Sequence, residues 1–404
     1  MIISRTPFRI SFFGGGTEYP NWYRTHGGSV LSASIDKYCY ISCRILPPFF
    51  EHKTRLVYSQ IENCSSTDEI RHPAIRETLR FLKLDYGLEI HHDGDLPART
   101  GLGSSSSFTV GLLHALYAQQ GIMPDKRRLA LESIHIEQNL IKEIVGSQDQ
   151  VCAAYGGFNQ IDFSKSGAFD IRPITLRPGR IEELNSHLML FFTELEPAAS
   201  GIVRDYVENI AGKYVLLRQM QKMVGKGVDV LQSDADICEF GELLHQAWTL
   251  KRSLSPDVSS SHVDELYDRA RAAGAVGGMI TGAGGGGFLL LFAAPSSQNS
   301  VREALVKNIY VPFKFEYSGS QIIFYKPERE DYRDLQKQKA RQLSRPGDEP
   351  ETAKKSQRIR TVPDVRKSGP KVVEVTPTSQ GIGETERENN KEASARVFHL
   401  ESQE

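Results

Sequence analysis

The 404-residue chain is short of cysteine, of net charge and of long apolar runs, and each shortage excludes something. Its five cysteines, Cys39, Cys43, Cys64, Cys152 and Cys238, form no CxxC pair and no Cys/His spacing suited to zinc. Neither a disulfide scaffold nor a zinc site is indicated, and an odd, scattered set suits a reducing cytosol. Lys and Arg number 49 against 50 Asp and Glu, a formal net charge of -1. Such balance argues against nucleic acid or an anionic membrane as the main partner. No apolar run reaches the roughly 18 residues of a membrane span. The N-terminal "MIISRTPFRISFFGGG" has no apolar stretch followed by a small-residue cleavage site. It reads as a strand entering a loop rather than a secretory signal, so the cytoplasm is the expected compartment. Nothing in the sequence indicates an oligomeric state.

What is present is enough chain for two domains and a sizeable core. Residues 1 to about 326 alternate apolar strands, glycine punctuation and amphipathic helices. "YCYISCRI" (38–45) and "HLMLFF" (187–192) read as strands. "DKRRLALESIHIEQNLIKEIVG" (125–146) reads as a helix with Asp125 as N-cap and Gly146 as its stop. "DVSSSHVDELYDRARAAGA" (257–275) has serines before its helix and Gly274 after it. From Pro327 to Glu404 only Tyr332 and Phe398 are aromatic, and polar and charged residues dominate. A charged, disordered tail is expected there, with a possible helix at its start, because so little apolar surface cannot offset the entropy of ordering.

Three glycine-rich stretches carry the chemistry. In "RTGLGSSSSFTVGLLHALYA" (99–118), four serines stand between a glycine loop and an apolar helix. A helix start leaves N–H groups unpaired at its positive end, and glycines let a ligand come close to backbone. Gly101, Leu102, Gly103, Ser104, Ser105, Ser106 and Ser107 are therefore a candidate phosphate loop, with hydroxyls as added donors or a ligand oxygen for Mg2+. The plain alternative is a serine-capped helix. No Lys follows the last glycine, so this is not a Walker A loop, nor does it fit a dinucleotide fingerprint. The second stretch, "MITGAGGGGFLLLF" (279–292), has more glycine than a turn needs, which favours close ligand approach at Gly282, Gly284 and Gly285. In the third, "TPFRISFFGGGTEYP" (6–20), a strand carrying Arg9 breaks into three glycines followed by Thr17 and Glu18. A hairpin with surface charges would look the same.

Two acids lie between these stretches. Metal-assisted phosphoryl transfer needs a carboxylate for Mg2+ and often another beside the attacking hydroxyl. Glu137 stands on the 125–146 segment, where a glutamate is most often part of a solvated face. Asp149 stands in "GSQDQVCAAYGG", a loop context that suits function better.

Taken in order, Arg9 with Gly14–Glu18, then "GLGSSSS", then "TGAGGGG" resemble the GHMP kinase superfamily, over roughly residues 3 to 326. "GGSVLSASIDKYCYIS" and "HHDGDLPARTGLGSSSSFTVGLL" are similar, within it, to the bacterial kinases that phosphorylate D-glycero-D-manno-heptose 7-phosphate at its anomeric hydroxyl. The resemblance implies an α+β fold of two lobes, one like the second domain of ribosomal protein S5 (residues 1–180) and one ferredoxin-like (181–326). It implies ATP and a sugar or sugar phosphate meeting between them. It implies that the 101–107 loop wraps the ATP phosphates, that Ser105 and Glu137 hold Mg2+, and that Asp149 and Arg9 act on the attacking hydroxyl. Thr17 and Glu18 then contact sugar hydroxyls. Two departures bear on substrate choice. Met279 stands where these kinases usually have Lys, and Glu18 where they usually have Asp. A kinase for another hexose or deoxyhexose, or an inactive sugar-sensing relative, stays open as an alternative.

A sugar that already bears a phosphate needs positive charge away from the ATP loop. "TLKRSLSPDVSSS" (249–261) offers Lys251 and Arg252, and arginine suits bidentate phosphate contact. A solvated basic turn is the plain alternative.

Overall fold

A computed structural model describes residues 1–194 and 210–326, and beyond them Tyr332, 334–336, Gln338 and Lys339. The chain separates into units 1–345 and 346–404. The second unit, and with it most of the expected tail, lies outside the described residues.

The architecture is α+β, built on two sheets. The nine-stranded sheet contains β1 (Ile2–Phe13), β2 (Gly28–Ile45), β3 (Thr54–Val57), β4 (Ile61–Cys64), β5 (Leu88–Gly94), β6 (Phe158–Phe163) and β7 (Phe169–Pro173). The four-stranded sheet runs β11-β8-β10-β9, from β8 (Leu188–Phe192), β9 (Ala275–Ile280), β10 (Phe288–Ala293) and β11 (Ile309–Tyr310). The chain then returns to the first sheet, where β12 (Phe315–Glu316) pairs with β2 and β13 (Gln321–Tyr325) pairs with β1. Thus the last strands of the described chain complete the sheet that its first strands begin. Among the described residues every pairing is antiparallel except β3 with β5.

The sequence pattern accounts for the layers. β10, "FLLLFA", is buried at all six positions because both its faces are covered, so it reads as a continuous apolar run. β1 alternates at its start and is then buried almost throughout, with Arg9 a charge inside it. Phe240, on the helix Cys238–Arg252, locks the sheets together. Its ring lies 5.5 Å from Phe12 and 5.1 Å from Phe13, both edge-on, and 6.4 Å from Phe292 of the other sheet. Such pairs add about 0.5–1.5 kcal/mol each beyond the area they bury.

Helices α1 (Pro20–His26), α2 (Pro73–Phe81), α3 (Ser104–Gln119), α4 (Lys126–His135) and α5 (Gln148–Tyr155) belong to the first half of the chain. Asp125 does cap α4, accepting from the Arg128 N–H at 2.7 Å. The helix ends sooner than Gly146, however. It widens into a π-helical segment, Ile136–Ile141, and stops at Lys142, whose φ is +64°. Gly146 serves another purpose: a Cβ there would meet Glu18 Cγ at 2.4 Å. The helix Ser261–Ala272 is capped by Ser260, and Gly274 follows it at φ +105°.

Beyond β13, Gln336 accepts from the Gly87 N–H at 2.7 Å and donates to Leu46 O at 2.6 Å. Lys339 donates to Pro48 O at 3.0 Å and Phe50 O at 2.6 Å. The described residues after Lys326 therefore hydrogen-bond to the first sheet's loops.

Candidate functional site

A cleft of about 600 Å³ opens where β1 ends. Its walls come from the three glycine stretches, from 142–149 and from the helices Tyr214–Gln232 and Cys238–Arg252. Arg9 and Asp149 meet in it. Arg9 Nε donates to Asp149 Oδ1 at 2.8 Å and Nη2 to Oδ2 at 2.7 Å, a bidentate pair, while Nη1 donates to Gly101 O at 2.7 Å. Arg9 is buried, whereas the Asp149 side chain keeps 30 % of its surface exposed. Burial alone would lower the guanidinium's pKa, but the charge and hydrogen bonds of Asp149 outweigh it and the net shift is upward. Asp149 also stands in the first turn of α5, where the helix dipole favours an anion. Gly103 is what lets this pair sit against the loop. A Cβ there would be 3.2 Å from Arg9 Cγ and 3.5 Å from Asp149 Oδ2, and its φ of +77° suits only glycine well.

The four serines divide the work. The α3 N-cap is Gly103, and no side chain caps the helix. Ser104 accepts from the Arg99 N–H at 3.0 Å. Ser105 is exposed and lines the cleft. Ser106 is buried and donates to Glu137 Oε2 at 2.9 Å. Ser107 donates to Pro7 O at 2.8 Å and faces the interior, as does buried Leu102.

Glu137 is not on a solvated face. It sits fully buried in the π-helical segment behind the serines. Its Oε2 also accepts from Gln150 Nε2 at 2.5 Å, but Oε1 has no partner. Burial raises this carboxyl to about 7, against the hydrogen bonds from Gln150 and Ser106. A second acid, Glu18, lines the cleft with a buried, unpartnered Oε2. Burial pushes it up to about 7, opposed by its own N–H and that of Gly16. Among the described residues no group of three His, Cys, Asp or Glu could hold a metal ion.

Several expected residues fall elsewhere. Thr17 does not reach the cleft: it is fully buried, and its hydroxyl shares one proton between Gly14 O at 2.8 Å and Ser29 O at 2.9 Å while accepting from the Ser29 N–H. Arg252 also points away, with Nη1 3.2 Å from Asp264 Oδ1 and its guanidinium over Trp248. Its neighbour Lys251 does line the cleft. Gly282 reaches the cleft, but Gly284 and Gly285 pack on Val258 instead. The density of glycine in 282–287 has a packing cause. A Cβ on Gly282 would meet Gly101 Cα at 2.4 Å, one on Gly284 Val258 O at 2.5 Å, and one on Gly287 Thr100 O at 2.4 Å. The two glycine loops are pressed backbone to backbone.

Arg99 and Lys142 are cleft residues that the motifs did not indicate, both at positive φ without being glycine. Met220 and Met223, one helical turn apart, also line the cleft; in sequence they are two apolar residues among many. No helix among the described residues is long and apolar enough to cross a membrane.

Residues 71–157 match the GHMP kinases N terminal domain, and residues 231–311 match the GHMP kinases C terminal domain. The chain is 26 % identical over 322 residues to a D-glycero-alpha-D-manno-heptose 7-phosphate kinase of Campylobacter jejuni, covering 76 % of this chain and 93 % of that one. It is 28 % identical over 337 residues to a mevalonate kinase of Pyrococcus furiosus, covering 75 % and 92 %. The crystal structure of a D-glycero-D-manno-heptose 1-phosphate kinase from Bacteroides thetaiotaomicron superposes with a TM-score of 0.66 at 21 % identity, over 81 % of this chain and all of that one. At that identity the superposition speaks for the fold.

Proposed function

From a chain that belongs to the GHMP kinase superfamily, we propose an ATP-dependent kinase that phosphorylates the anomeric hydroxyl of a sugar. Its proposed substrate is D-glycero-D-manno-heptose 7-phosphate, and its product the 1,7-bisphosphate. The observation that carries the reading is the bidentate Arg9–Asp149 pair beside the open start of α3. The likeness to a heptose 7-phosphate kinase supports the choice of sugar.

Each residue then has a task. Gly101 and Gly103 let the triphosphate approach backbone at a positive helix end, while Ser104 and Ser105 add polar contacts. The sugar hydroxyl donates to Asp149, whose two oxygens keep lone pairs beyond those Arg9 occupies. Asp149 takes the proton as the oxygen attacks the γ-phosphorus, whose bond to the β–γ bridging oxygen breaks so that ADP leaves with that electron pair. Arg9 fixes the plane of that carboxylate and places positive charge where negative charge develops. Glu18 offers its unpartnered oxygen to a sugar hydroxyl.

The residues also fit Mg2+. Glu137 has a buried oxygen without a partner, and Mg2+ is commonly held by one or two protein oxygens together with phosphates. Glu137 and Ser105 are the proposed ligands, with Ser106 orienting the carboxylate. When bound, Mg2+ would neutralise charge on the phosphates. We place the lobe boundary near residue 180, with the returning strands β12 and β13 counted to the first lobe rather than to the expected 181–326 lobe because they pair with β2 and β1, and the protein in the cytoplasm, in keeping with five free cysteines.

The test is ATP consumption with a sugar panel that includes heptose 7-phosphate, heptose, mannose and fucose, with the product position read by phosphorus NMR. A new phosphate on the anomeric oxygen of heptose 7-phosphate is expected. Turnover of an unphosphorylated hexose or deoxyhexose alone would replace the substrate, and no turnover with any sugar would remove the sugar-kinase reading.

A further inference from the structure

Lys251 ends the helix Cys238–Arg252 inside the cleft. Its ammonium donates to Ile280 O at 2.7 Å and to Gly282 O at 2.6 Å. An ammonium has three N–H donors. The third has no acceptor among the described residues. No carboxylate lies within ion-pair distance of it in the ion pairs among these residues. Charged groups are rarely enclosed without a partner, because desolvation is not repaid.

The surroundings show which partner is missing. Four basic residues line the cleft: Arg9, Arg99, Lys142 and Lys251. Arg9 is committed to Asp149. Arg99 and Lys142 are exposed at the rim. Lys251 is the one basic lining residue from beyond residue 194, and apolar Met279, Ala247 and Leu254 line the same wall. Burial draws its pKa down to about 7, the Arg9 charge adds to that, and Glu18 opposes it. Lys251 thus shares the cleft with Arg9 and Glu18, the residues assigned above to the attacking hydroxyl and to the sugar, while its two made hydrogen bonds anchor it on the 280–282 backbone.

We infer that Lys251 is the receptor for the distal phosphate of a phosphorylated sugar, and so the residue that separates a sugar phosphate from its unphosphorylated counterpart. The inference rests on the sugar-kinase reading above. It moves the second anion site from the Lys251–Arg252 pair to Lys251 alone, since Arg252 is turned toward Asp264. A phosphate oxygen accepts the third N–H and supplies the charge that the protein withholds. The same ammonium keeps the 279–283 loop in place, so discrimination is built onto a structural clasp.

The experiment compares the wild type with Lys251→Met and Lys251→Arg, using heptose 7-phosphate and heptose with ATP. A lost charge-assisted hydrogen bond of this kind reads as roughly a 10- to 100-fold rise in KM. That rise is expected for heptose 7-phosphate with Lys251→Met. Loss of the loop clasp acts on both sugars and on ATP alike, so the reading is the difference: the rise for heptose 7-phosphate should exceed that for heptose and for ATP by about tenfold or more, and Lys251→Arg should recover part of it. Equal rises for both sugars, or a rise in KM for ATP alone, would overturn the inference and leave Lys251 a loop clasp. Should Lys251→Met not fold, calorimetry with inorganic phosphate on the wild type and Lys251→Arg takes its place. Binding by both, competitive with heptose 7-phosphate, supports the inference, and no binding to the wild type refutes it. If the wild type turns over neither sugar, the substrate reading fails. Phosphate binding that Lys251→Met abolishes would still stand as support for the anion site.

Discussion

Asp149→Asn is the perturbation that tests most of the site at once. Asparagine keeps the shape and one carbonyl oxygen, so Arg9 Nε or Nη2 can still donate to it. What disappears is the carboxylate charge and the capacity to take a proton. Loss of a general base costs about 10²–10⁴-fold in rate, or about 3–5.5 kcal/mol of transition-state stabilisation. The fold is affected less. Removing one partner of a fully buried ion pair costs about 3–5 kcal/mol, but the Asp149 side chain is 30 % exposed, so water screens the pair. A loss of about 1–2 kcal/mol is expected, a modest fall in Tm. ATP binding should hold, because Asp149 bonds to Arg9 and not to the 101–105 backbone. The assay is ADP release under saturating sugar and ATP, with ATP affinity measured separately by calorimetry. A kcat above about a tenth of wild type would remove Asp149 from the base role. An ATP affinity that falls in step with kcat would refute the division between acceptor and nucleotide contacts.

Other consequences are as direct. Ser105→Ala should raise the Mg2+ concentration needed for half-maximal activity, while Ser106→Ala should act through a displaced Glu137; if only Ser106→Ala alters the Mg2+ requirement, the metal-facing serine is Ser106. Cutting the chain after Arg345 should leave Tm unchanged, whereas cutting after Glu330 removes the Gln336 and Lys339 hydrogen bonds and should lower it by a few degrees; equal Tm values for the two truncations would show those contacts to be idle. Glu18 has a folded pKa of about 7, above its ordinary 4.5, so the fold favours its protonated form. Its stabilising contribution is present below about pH 4.5 and lost as pH rises through about 7. Melting curves of ligand-free wild type and Glu18→Gln should therefore separate between pH 5 and 8, the wild type falling relative to the variant, and a gap that stays constant or closes with pH would contradict the burial of that carboxyl.

The elements that hold the site were legible because each obeys a local rule. Asp125 is a capping residue three positions before the N–H it accepts, and "FLLLFA" is apolar enough to be covered on both faces. Arg9 was nameable from its place before the Gly14–Gly16 stretch and Asp149 from the family resemblance, although the loop expected around Asp149 is the first turn of α5. Their pairing is a matter of topology, since 140 residues separate them. Thr17 and Arg252 show the limit. Their types suit a ligand, but a buried hydroxyl beside two carbonyls is consumed by backbone, and a guanidinium at a helix end turns to the nearest acid. No spacing rule tells which of two adjacent basic residues faces inward. The helix that stopped early fails differently: a π-helical segment shifts every later side chain around the axis. Glu137, at the start of that segment, is buried for a simpler reason: it stands four residues after Ser133 and eight after Leu129, on the same buried face, a stripe the residue type alone concealed.

The glycines of 282–287 carry the same lesson to its mechanical end. Read as residues, their number points to a ligand pressed against backbone. In the fold the thing pressed against them is mostly the protein itself, Gly101, Thr100 and Val258, at separations that leave no room for a Cβ. Yet the functional sense survives in a changed form. The 282–287 loop belongs with the second sheet and the 100–103 loop with the first, so their contact fixes the distance between the two halves of the cleft. Lys251 ties one loop through Gly282 O, and Arg9 ties the other through Gly101 O. A side chain at Gly282 would therefore act on both, forcing apart the two backbones whose spacing sets where a phosphate and a hydroxyl can meet. Glycine is required there to keep those two backbones in contact, even where no ligand touches it.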